Sequence, residues 1–107
     1  MAEEIKLKGR VKRIVIEIIP MRNADEEYTW KVPKYYSQFV MHARGANDVR
    51  ISDKQNVVAA SDEPYFTMKA GSSLSAEDLG IDFSDDIKLY LASPDADVQI
   101  EVMGGML

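Results

Sequence analysis

Along this 107-residue chain, runs in which apolar and polar residues alternate position by position recur between clusters of Gly, Pro, Asn and Asp. A period of two sends successive side chains to opposite faces of an extended strand, whereas a helix would spread the same residues around its circumference. The most completely punctuated stretch is residues 62–74. Pro64 has no N–H, so it can open a strand but not sit mid-sheet. Phe66, Met68 and Ala70 then alternate with Thr67 and Lys69, and Gly71 stops the run by reaching turn conformations that other residues avoid. The pattern predicts a half-buried strand with similar strands on either side.

Earlier in the chain, Ile5 and Leu7 alternate with Lys6 and Lys8, and Ile14, Ile16 and Ile18 then shift the apolar side by one residue. That shift predicts a strand end at Gly9 or a bulge near Lys12-Arg13. Residues 11–19 are so rich in β-branched side chains that they read as a central strand covered on both faces and closed by Pro20. Tyr28, Trp30 and Val32 alternate with Thr29 and Lys31 as far as Pro33. From Tyr36, Phe39, Met41 and Ala43 share one face, and Gln38, Val40 and His42 the other. Residues 44–47 read as a turn into Val49 and Ile51, making a predicted hairpin. A short strand is expected at residues 57–60. Ile87, Leu89 and Leu91, then Val98, Ile100 and Val102, form a second predicted hairpin about residues 93–97.

The helical signal is confined to Ser75-Ala-Glu-Asp-Leu-Gly80, where Ser75 can cap, Asp78 answers three residues on and Gly80 can stop a single turn. About eight short strands with at most one helical turn predict an all-β fold, a sandwich or a barrel, and of the two an antiparallel β-sandwich is the expectation. Residues 1–107 read as one domain with a basic N-terminal strand or arm at 1–13 and a flexible tail at 103–107.

Charge is distributed unevenly: +3 over residues 1–13, −1 over 14–73 and −7 over 74–107. The two ends are complementary and should attract one another, either within one subunit or between neighbours, which predicts self-association or docking through the termini. A net charge of −5 disfavours nucleic-acid binding. No apolar run approaches the roughly 20 residues of a membrane span. Met1-Ala-Glu-Glu lacks the basic-then-apolar order of a secretory signal, so no export leader is expected. With no cysteine, disulfides, thiolate metal sites and thiol nucleophiles are excluded.

Catalytic constellations are scarce. His42, the one histidine, is the first choice for a general base, but its place on a polar strand face beside Gln38 favours a surface or hydrogen-bonding role. Ser72, Ser73 and Ser75 match neither a nucleophile elbow nor a phosphate loop, so no catalytic residue and no cofactor is expected. Asp82, Asp85, Asp86, Asp95 and Asp97 could pool oxygens for calcium. Turn and edge roles for these aspartates rank higher, because the spacing of a calcium loop is missing. Tyr28, Trp30, Tyr35 and Tyr36 are the candidate interface or ligand surface, with core, subunit contact and sugar stacking as the competing roles.

Three segments carry a family resemblance: Val49-Arg-Ile-Ser52 after a glycine-containing turn, Tyr65-Phe-Thr-Met-Lys-Ala-Gly-Ser-Ser-Leu74, and Leu89-Tyr-Leu-Ala-Ser93 with Val98-Gln-Ile-Glu-Val102. Over residues 36–102 this order resembles the small jelly-roll-like β-sandwich proteins of tailed-bacteriophage virions, including capsid decoration (cement), collar and fibre-associated proteins. The resemblance implies a non-enzymatic structural or accessory protein of the virion, assembled in the host cytoplasm, whose partners are itself and a capsid or tail protein. It brings no catalytic residues. The alternative is a carbohydrate- or receptor-binding module using the four aromatic residues.

Overall fold

The computed structural model describes residues 13–45 and 47–106. The expected strand at residues 5–8, the bulge near Lys12-Arg13 and the basic arm, apart from Arg13, lie outside the described residues. Eight strands and one helical turn are described: β1 (Arg13–Met21), β2 (Tyr28–Lys31), β3 (Tyr36–Ala43), β4 (Val49–Ser52), β5 (Phe66–Met68), β6 (Ser73–Ser75), α1 (Ala76–Leu79), β7 (Lys88–Ala92) and β8 (Val98–Met106). They form two antiparallel sheets, sheet A in the order β1-β8-β3-β6 and sheet B in the order β2-β7-β4-β5.

The pairing follows one rule. β1 pairs with β8, β2 with β7, β3 with β6 and β4 with β5, so the chain is a long antiparallel ribbon folded at the β4–β5 connection. Two further pairings, β3 with β8 and β4 with β7, roll that ribbon into a sandwich. This is the jelly-roll topology, an all-β solution that buries the inner faces of both sheets against each other. Phe39, Met41 and Ala43 from β3, Val49 and Ile51 from β4, Leu89 and Leu91 from β7, and Ile100 and Val102 from β8 supply the interior, as their alternation predicts.

The ribbon also explains which expected neighbours are wrong. β3 and β4 belong to different sheets, as do β7 and β8, so neither predicted hairpin forms. Their turns instead cross between sheets side by side. Asn47 donates to the Asp95 carboxylate at 2.8 Å, and the Ser93 hydroxyl donates to the Asp48 carbonyl at 3.0 Å. Residues 62–74 are likewise not one strand. Gly71, at φ 74°, turns the chain from β5 at the edge of sheet B to β6 at the edge of sheet A.

Residues 57–60 form turns rather than a strand, and segment 53–65 folds back over sheet B. There the Arg50 Nε donates to the Val58 carbonyl at 2.6 Å, and the Ser52 hydroxyl donates to the Pro64 carbonyl at 2.9 Å. All four residues of β4 are therefore buried, including the two that alternation assigns to the outside.

The C-terminal residues depart furthest from expectation. Met103, Gly104, Gly105 and Met106 are not a fraying tail but part of β8, held between β1 and β3 in sheet A. Gly104 lies beneath the Tyr36 ring, where a methyl group would overlap the aromatic carbons. A Gly-Gly pair that looks like loop in sequence is here the space an aromatic ring needs.

Candidate contact surface

Among the described residues β1 is an edge strand, not the central one its composition predicts, and this difference creates the most distinctive surface there. Its odd-numbered side faces inward, with Val15 and Ile19 packed against the core. Its even-numbered side faces solvent: Ile14 is 55%, Ile16 70% and Ile18 41% exposed. Pro20 continues the strand instead of closing it, opposite Gln99, because an edge strand has one side on which a missing donor costs no ladder bond. The other three sheet edges are short, four residues in β2 and three each in β5 and β6, whereas β1 runs for nine. Short edges resist pairing with other chains, and a long apolar edge invites it.

Register lays out the outer face of sheet A in rows. Ile16 stands beside Met103, Met103 beside Val40, and Val40 beside Ser75. One row over, Ile18 is followed by Glu101, His42 and Ser73; on the other side, Ile14 is followed by Gly105 and Gln38. Ile16, Val40 and Met103 line a shallow depression of about 240 Å³ rimmed by His42 and Glu101. The apolar patch thus spans three strands.

Its charged margin is satisfied locally. The Arg44 Nε lies 3.1 Å from the Glu101 carboxylate, and Arg44 Nη1 donates to the Gln99 side-chain oxygen at 2.9 Å. His42 Nδ1 and the Ser73 hydroxyl are 3.1 Å apart, a cross-strand hydrogen bond on an open sheet surface. Glu101 lies opposite His42 in register but is engaged by Arg44.

The four aromatic residues singled out in the sequence do not share a face. Trp30 is 7% exposed and stands edge-to-face with Phe39 at 5.1 Å, inside the core. Tyr36 is 2% exposed, and its hydroxyl donates to the Glu17 carboxylate at 2.7 Å. Burial, reinforced by that carboxylate, raises the Tyr36 phenol far above its ordinary range. Tyr28 is half-buried, and its hydroxyl donates to Glu26 and accepts from the Asn23 N–H. Tyr35 alone is well exposed, at 59%.

The acidic residues are dispersed over separate local roles. Asp82 accepts from the Ser84 N–H and hydroxyl, which hold its carboxyl below the usual range. Asp86 faces Lys34 at 3.2 Å, and Asp95 takes the Asn47 amide. Among the described residues no three His, Cys, Asp or Glu side chains gather as a metal site.

A second concave feature lies where the sheets part between β5 and β6. It is a cleft of about 420 Å³ walled by Ile51, Phe66, Leu74, Leu79, Ile81 and Leu89. The Ser52 hydroxyl at its margin already donates to Pro64 and accepts from the Lys54 N–H.

Sequence reasoning missed the solvent-facing role of Ile14, Ile16 and Ile18. The one available signal was Pro20 at the end of the run, since proline is confined to sheet margins. No protein-family model matches the chain, and no curated protein or solved structure matches it.

Proposed function

We propose that this protein is a non-enzymatic structural protein that works by repeated subunit contact, with the outer face of sheet A as its contact surface. The observation that carries the reading is the isoleucine stripe: three large β-branched side chains in water on a nine-residue edge strand, continuous with Met103 and Val40. Exposed apolar patches of this kind mark interaction sites. The setting proposed is a virion, as a capsid decoration protein or a head- or tail-associated accessory. The jelly roll supports this as an architecture that builds viral capsid domains.

The carbohydrate-binding alternative loses its footing, because two of the four rings it requires are interior. The test is to purify particles from the culture that produces the protein and probe them by mass spectrometry and immunogold labelling. Regularly spaced label on the particles is expected. A protein confined to the soluble cell fraction and absent from particles refutes the reading.

A further inference from the structure

The sheet-A face has a geometry that selects its own occupant. We infer that a second copy of this chain packs on it, face to face, about a twofold axis that crosses the strands along the Ile16–Met103–Val40 row. The inference rests on the contact-surface reading above and adds the identity and arrangement of the partner.

Three features on the face lead there. The first is area. Strands of nine, nine, eight and three residues, rising about 3.4 Å per residue and spaced about 4.8 Å apart, give roughly 500 Å² of projected face per subunit. Two apposed copies then cover about 1,000 Å², the lower bound for a specific interface between proteins.

The second is self-complementarity. With the axis on that row, Ile16, Met103 and Val40 each meet their own copies, and Ile14 meets Ile18. Glu101 faces the second copy's Gly105, which has no side chain to oppose it, and His42 faces Gln38. Moving the axis onto the Ile18–Glu101–His42 row stacks Glu101 on Glu101, a like-charge contact in a desolvated interface. The 240 Å³ depression beside Ile16 offers each subunit a socket for an apolar side chain from the other.

The third is the weakness of an edge-to-edge arrangement. Joining two β1 edges into one continuous sheet would pair backbone groups but leave both isoleucine stripes in water, and Pro20 withholds a donor from that ladder. Stacking covers the stripes, with the strands of the two copies running antiparallel across the axis.

Sedimentation equilibrium of the full chain, of Ile16→Lys and of Phe66→Lys tests the occupant. The wild-type chain and Phe66→Lys, altered at an exposed site on sheet B, are expected to dimerise alike. Ile16→Lys, which places two charges on the axis, is expected to weaken the dimer by roughly a hundredfold or more while its circular dichroism stays unchanged.

The axis is tested by cysteine pairs in this cysteine-free chain. A bis-maleimide reaching about 10 Å, the spacing of stacked sheets, should join an Ile14→Cys and Ile18→Cys mixture far better than either variant alone. Equal yields overturn the arrangement. A monomeric wild-type chain, or a dimer indifferent to Ile16→Lys, overturns the inference. The broader reading is judged separately, by whether Ile16→Lys disappears from purified particles.

Discussion

Replacing Gly104 by alanine should damage the fold out of proportion to the one methyl group it adds. At this position in β8 the new Cβ would come 2.8 Å from Tyr36 Cε1 and closer still to Cε2 and Cζ, where carbon contacts normally settle at about 3.5–4.0 Å. The ring has little freedom to move away, being buried, bonded to Glu17 through its hydroxyl and edge-on to Tyr35 at 5.2 Å. Overpacking of this sort costs about 1–3 kcal/mol, and swinging the phenol off Glu17 adds about 1–3 kcal/mol for the lost buried hydrogen bond. Alanine recovers about 0.5–1 kcal/mol through its lower chain entropy in a strand. The net expectation is a loss of about 3 kcal/mol, or roughly 12–24 °C in Tm.

Thermal and guanidinium unfolding at fixed protein concentration would measure it. A double-mutant cycle with Tyr36→Leu isolates the clash: the alanine should cost less than about 1 kcal/mol once the ring is gone. A Gly104→Ala protein as stable as the wild type would refute both the ring placement and the explanation of the Gly-Gly pair.

Three further outcomes follow from the core and the caps. Trp30→Ala should cost about 3–5 kcal/mol, and the wild-type tryptophan should emit at short wavelength, resist iodide quenching and stay unchanged on titration with glycans; glycan-dependent quenching lost in Trp30→Ala would revive the sugar-binding reading. Because the Tyr36 phenol holds its proton more tightly folded than unfolded, the stability it confers is complete below the unfolded tyrosine pKa of about 10 and declines as pH rises beyond it. Unfolding midpoints across alkaline pH should show that decline, reduced in Tyr36→Phe. Ser75→Ala removes the hydroxyl that receives the Asp78 N–H at 3.0 Å and should cost about 1 kcal/mol. The paired Asp78 carboxyl is held below its ordinary range, so its contribution is present above the unfolded pKa and is lost as pH falls through the folded one; acid unfolding of Asp78→Asn should start from lower stability and vary less with pH.

What was legible in the sequence is what depends on neighbours a few residues apart. The two faces of β3, the inward Leu89 and Leu91, and the capping box from Ser75 to Gly80 all follow from local spacing, and the structure has each of them. Pairing partners are not local. Alternation says which side chains share a face but not which strand lies alongside, so both crossovers read as hairpins. Richness in β-branched residues signals protection from water without saying what provides it; that is why residues 11–19 looked central although Ile14, Ile16 and Ile18 face outward. Gly104-Gly105 read as loop because the ring that needs the space is 68 residues away. Arg50, buried and bonded to Asp25 at 2.9 Å and to the Val58 carbonyl, looked like an ordinary outward residue because only a folded-back loop could hide it.

The contact face itself is best tested by a single thiol placed on it. Ile14→Cys keeps the central Ile16 intact and introduces the chain's one cysteine, and Phe66→Cys provides an equally exposed control on the opposite sheet. Both should react rapidly with a bulky maleimide in dilute solution. As concentration rises into the range where the protein assembles, labelling of Ile14→Cys should slow by tenfold or more, roughly the protection of a site closed off for nine-tenths of the time, while Phe66→Cys stays fast. Equal reactivity of the two thiols at every concentration, in a protein shown to be assembled, would contradict a contact through the isoleucine face.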